Sequence, residues 1–224
     1  MNKYLFPIYA VIIGFVFVRL TKSRPWRHIK LLLAFSGAFL LSITVFELLP
    51  EVYQNLEPRK IGLYIMIGIL FQIFLEFFSK GAEHGHIHKS SENAGFPWLL
   101  FISLCIHALM EGFPINQHND MVYGVLIHKI PIAILITSYL YQSNFKSWTI
   151  AAFLLVFAAM TPLGTWISNE VAIDAAIVSS ISAVVIGIFF HISTIILFES
   201  SQGHRFNLRK IIVITTAVAI AYFI

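Results

Sequence analysis

Charge is scarce in this chain. Of 224 residues only 12% are Asp, Glu, Lys or Arg, against about 25% in a soluble domain, so a hydrated globular surface cannot be assembled from it. Cysteine is scarcer still: Cys105 stands alone in an apolar run, which excludes an internal disulfide and leaves the redox compartment unreadable. No Gly-rich nucleotide-binding loop occurs, so work driven by ATP bound to this chain is excluded. What remains is apolar, 58% of the residues. The expectation is an integral membrane protein with no soluble domain.

Apolar runs of about 20 residues, bounded by charges or turn residues, fall at roughly 4–20, 31–50, 61–79, 97–114, 121–141, 148–168, 174–197 and 209–224. Eight transmembrane helices are expected, forming one all-α polytopic domain over 1–224. The first run is followed by its basic cluster and shows no small-residue cleavage site, so it reads as a retained helix and not as a signal peptide. Lys and Arg accumulate in cytoplasmic loops. Loops one, three, five and seven carry eleven of the fifteen, the opposite side three, and Lys129 lies within a span. Both termini are therefore expected outside. The net charge of +4 follows from that loop placement and needs no nucleic-acid partner.

Against this background "HALMEGFPI", 107–115, is costly: ionisable groups inside a bilayer are rare and mark function or pairing. His107 and Glu111 are four apart on a helix and share a face, with about 6 Å between them. The next span supplies His128, followed by Lys129 and Pro131. Only "INQHND" joins the two spans, so they form an antiparallel hairpin, and the midpoint of 107 and 128 falls in that turn. His107 and His128 thus lie at equal depth, about 10 Å below the turn. A single buried imidazole in a bundle is ordinarily an interhelical hydrogen-bonding partner. Two imidazoles and a carboxylate at matched depth point instead to a metal: Zn²⁺, or Fe²⁺ or Mn²⁺, since Ca²⁺ and Mg²⁺ prefer oxygen shells. Pro114 and Pro131 remove backbone hydrogen bonds nearby, and freed carbonyls are tolerated at such depth where they line a cavity.

These residues resemble the ZIP (Zrt/Irt-like) metal permeases over most of the chain. "HALMEG" is similar to that family's fourth-helix motif and "HKIP" to the start of its fifth. "FSGAFLLSITVFELLPE" resembles its Gly-rich second helix, "MTPLG" at 160–164 its sixth-helix motif, and the His-bearing loop 80–95 its loop between helices three and four. The resemblance implies a 3+2+3 inverted repeat, in which helices one to three and six to eight enclose four and five, and elevator-like movement. Within the sequence only "SGAFLL" at 36–41 against "IGIFFH" at 186–191 echoes such a repeat.

The departures are as informative. Where members with two metals have further ligands, this chain has Ala108, Lys129 and Ile132. The second metal is expected to be absent, with Lys129 pairing with Glu111 in its place and one ion held by His107, Glu111 and His128. Glu47 is expected as an entrance ligand. Glu76 and His191 either line the exit or cross-link helices. His84, His86 and His88 in the cytoplasmic loop suit loose capture of a cation.

The expected activity is uptake of a divalent metal, zinc first, as cargo and with no catalytic cofactor. Entry of two charges gains about 4.6 kcal/mol per 100 mV, twice the single-charge figure. The partners are the metal ion and the bilayer, with a homodimer left open. Compactness and lack of a eukaryotic targeting signal point to a bacterial inner membrane. Two rival readings are an intramembrane zinc hydrolase using the same three ligands, and a metal-responsive membrane protein whose permeation Lys129 has blocked.

Overall fold

The computed structural model describes residues 5–21, 28–79, 96–116, 119–199 and 208–224. The loop histidines His84, His86 and His88 lie outside the described residues. Within them the chain is entirely helical, in eight helices: α1 (Phe6–Leu20), α2 (Ile29–Asn55), α3 (Pro58–Ser79), α4 (Trp98–Gly112), α5 (Met121–Gln142), α6 (Ser147–Glu170), α7 (Ala175–Glu199) and α8 (Leu208–Phe223). Five of them, α2, α3, α5, α6 and α7, are long and apolar enough to cross a bilayer. α1 and α4 are apolar but have 15 residues each, about 22 Å of helix against a hydrocarbon core of about 30 Å. α4 stops at Gly112 because Pro114 has no N–H to continue the ladder. The chain tightens there, with the Phe113 and Ile115 amides donating to the carbonyls of Met110 and Gly112 at 3.1 and 3.2 Å.

α2 continues past Pro50, the end expected for it, to Asn55. A π turn at Thr44–Leu48 lies directly before the proline. The wider turn changes the ladder's register just where the proline lacks its donor, so the helix does not break. Glu47 lies within that turn and Glu51 one turn beyond it, toward the C-terminal end of α2.

Packing divides the apolar interior into two clusters. One joins α2, α7 and α8 with the start of α5 and Ile61 of α3. The other joins α1, α4 and α6 with the later turns of α5. The principal helix pairs are α3 on α7, α1 on α5, α4 on α6 and α2 on α8. Of the five long helices α5 is the most buried and α3 the least. The outward stripe of α3, Leu63, Ile67, Leu70, Phe74 and Phe77, is exposed. Such a stripe is an aggregation hazard in water and an ordinary outer face in lipid.

Glycines set the tightest of these contacts. A Cβ on Gly68 of α3 would overlap the Val184 carbonyl oxygen of α7, and one on Gly187 of α7 would overlap the Ile65 oxygen of α3. On the other side, Gly112 of α4 meets the Thr161 oxygen of α6 and Gly164 of α6 meets the Leu109 oxygen of α4. Backbone lies on backbone at both crossings, the close approach that small residues allow between membrane helices.

Candidate metal centre

Beside the α4–α6 crossing lie the buried ionisable residues of α4 and α5. α4 presents His107 and Glu111 one turn apart, as helical spacing requires. α5 presents His128 and Lys129, whose directions differ by about 100° on the helix, and the two therefore meet different partners. His128 lies beside His107, with ring centroids 6.3 Å apart and planes at 74°. Lys129 Nζ donates to Glu111 Oε1. His107, Glu111, His128 and Lys129 are all at most 1% exposed.

Each of His107, Glu111 and His128 offers a ligand atom, and these atoms lie within 4.8 Å of one another. His107 Nε2 is 3.5 Å from Glu111 Oε2. Around a tetrahedral ion with bonds of about 2.1 Å, neighbouring donor atoms sit about 3.4 Å apart, so this edge already has the required length. Neither ring nitrogen of His107 has a hydrogen-bond partner among the described residues, although buried polar atoms are nearly always satisfied. A metal ion bound through one ring nitrogen would satisfy that atom.

The carboxylate of Glu111 is divided between two tasks. Oε2 faces His107, while Oε1 accepts from Lys129 and also from Thr161 Oγ1 at 2.7 Å. Thr161 belongs to α6 and was not singled out from the sequence as a site residue. Its hydroxyl accepts from Lys129 Nζ at 2.7 Å and lies 2.9 Å from the Ala108 carbonyl oxygen. Its position in "MTPLG" was visible, but a hydroxyl before a proline carries no sign of which helix it will face. Phe157, one turn earlier on α6, places its ring centroid 4.5 Å from Lys129 Nζ, a further support for the buried cation.

The remaining sequence candidates lie elsewhere. Glu47 Oε2 accepts the Asp120 backbone N–H at 2.8 Å, at the N-terminus of α5, where a carboxylate is favoured by the helix dipole. Glu51, one turn on, receives the amide groups of Asn116 and Asn119 at 3.2 Å each. The C-terminal end of α2 therefore holds the α4–α5 turn through both carboxylates. Glu76 and His191 meet each other, Oε2 to Nε2 at 2.7 Å, and link α3 to α7 away from the centre.

No family model matches the chain. It is 28% identical to zinc transporter ZIP1 of Danio rerio over 88 residues, 37% of this chain and 29% of that protein. It is likewise 28% identical to zinc transporter ZIP1 of Takifugu rubripes over 95 residues, 40% of this chain and 32% of that protein. Each match spans about a third of the relative's length. By geometry and by these partial likenesses, the chain is a membrane protein, helical throughout its described elements, with a buried His–Glu–His cluster, and similar over part of its length to two zinc transporters.

Proposed function

We propose that this chain is a ZIP-type permease that carries a divalent metal ion, zinc foremost, into the cytoplasm through the centre formed by His107, Glu111 and His128. The observation that carries the proposal is the convergence of these three ligand atoms within 4.8 Å in a buried setting. Two imidazoles and one carboxylate suit a borderline ion, and three protein ligands leave a position open for exchange. Lys129 stands in for a second cation by neutralising Glu111. Glu47 serves at the outer mouth, and His84, His86 and His88 receive the ion on the cytoplasmic side.

The fold reading is a 3+2+3 inverted repeat of eight spans with both termini outside, in a bacterial inner membrane. The helix pairing supports the repeat. Exchanging α1 for α6, α2 for α7, α3 for α8 and α4 for α5 converts the α1–α5 pair into α6–α4 and the α3–α7 pair into α8–α2, all of which are principal contacts. The split of the interior into two clusters supports movement of one bundle against the other, as in repeat transporters with a midplane site.

The test is uptake of radioactive zinc by proteoliposomes holding the purified full chain. Accumulation above protein-free vesicles is expected, and His107→Ala or His128→Ala should return it to background. Binding without accumulation would favour a metal-responsive, non-transporting protein and overturn the permease reading.

A further inference from the structure

Thr161 of α6 touches the ligand set through Glu111. Its Oγ1 is 2.7 Å from Glu111 Oε1, 2.7 Å from Lys129 Nζ and 2.9 Å from the Ala108 oxygen. A hydroxyl has one proton and two lone pairs. Since Lys129 donates to it, that one proton has two acceptors in reach, Glu111 Oε1 and the Ala108 carbonyl. Donated to Oε1, the proton fastens that oxygen beside Lys129 and leaves Oε2, which faces His107, free for a cation.

The position of this hydroxyl is fixed by backbone. Thr161 and Thr165, one turn apart on α6, reach the carbonyl oxygens of Ala108 and Gly112, one turn apart on α4, at 2.9 Å each. Gly112 and Gly164 let the two helices approach closely enough for both bonds. Thr161 is thereby anchored to the helix that carries His107 and Glu111, in register with both.

We propose that Thr161 is a positioning residue of the metal centre: it holds Oε1 of Glu111 beside Lys129 and so turns Oε2 toward His107 and His128. The proposal rests on the metal-site reading above. Without the hydroxyl, Oε1 keeps only Lys129 and the carboxylate can rotate. The three ligand atoms then cease to be pre-arranged, and binding must restore the arrangement each time.

The experiment is Co²⁺ and Zn²⁺ binding to the detergent-solubilised full chain, with Co²⁺ d–d absorption reporting ligand geometry. Three substitutions are compared with the parent: Thr161→Val, which keeps the shape and removes the hydroxyl; Thr161→Ser, which keeps the hydroxyl; and His107→Ala, which removes a ligand. Thr161→Val should weaken binding about tenfold, the scale of a hydrogen bond to a charged group, and shift the Co²⁺ bands. Thr161→Ser should stay within about twofold of the parent with unchanged bands, by the same scale. If Thr161→Val does not assemble, Thr161→Ala is compared with Thr161→Ser in its place. Parent-like affinity and spectrum in the hydroxyl-free variant, with His107→Ala inactive, would overturn the positioning role and leave the metal centre standing. No binding by the parent overturns both.

Discussion

Glu111 and Lys129 are each buried to 1% exposure, and neither charge is tolerable there alone. Removing one partner of a buried pair costs about 3–5 kcal/mol, because the other charge is left uncompensated. In Lys129→Met the stem volume is kept and the ammonium lost, so the metal-free protein should melt at a markedly lower temperature. A divalent ion at the centre can supply the missing positive charge. Zinc should therefore raise the melting temperature of the variant more than that of the parent, measured by thermal unfolding in detergent with and without zinc. Equal zinc shifts in the two proteins would remove Lys129 from the role of a stand-in cation. The three candidate ligands were legible in the sequence because helical spacing and a six-residue turn suffice to bring 107, 111 and 128 together. Thr161 was not, since its place depends on how closely α6 approaches α4, which no local pattern encodes.

That approach is a property of elements. Gly112 and Gly164 meet the backbone of the opposing helix, and backbone cannot yield as a side-chain tip can. Gly112→Ala or Gly164→Ala should separate α4 from α6, with a loss of about 1–3 kcal/mol for overpacking. Both bonds from Thr161 and Thr165 to α4 would lengthen, so metal binding should fall along with thermal stability. Gly187→Ala strains the α3–α7 crossing instead; it should cost similar stability while metal affinity stays near the parent's. Gly62, with nothing near its Cβ position, supplies the neutral control. Titrations with Co²⁺ beside melting curves distinguish the two crossings, and equal loss of affinity at both would mean that the centre responds to general loosening. The glycines could be counted from the sequence, but their pairing across helices could not. The π turn of α2 was equally hidden, because one wider turn barely disturbs an apolar pattern; it carries the helix through Pro50 and sets Glu47 and Glu51 against the α4–α5 turn.

For the whole molecule the decisive quantity is the charge that crosses the membrane in each step. With Glu111 ionised and Lys129 protonated the empty centre is neutral, and loaded with M²⁺ it carries the ion's full charge of two. Under the permease reading an inside-negative potential then drives the loaded step, by about 4.6 kcal/mol per 100 mV for a full crossing, and leaves the empty return indifferent to voltage. Initial zinc uptake into proteoliposomes should rise when a potassium diffusion potential makes the interior negative, and fall when it is made positive. Lys129→Met redistributes this dependence: its loaded centre carries one positive charge and its empty centre one negative. The total per cycle is unchanged, but half of it now falls on the return step. Pre-steady-state currents on a supported membrane should therefore show a zinc-induced charge movement in the parent about twice that of the variant, in proportion to the charges moved. Equal charge movements would mean that Lys129 does not travel with the ion, and would place it on the stationary side of the moving boundary.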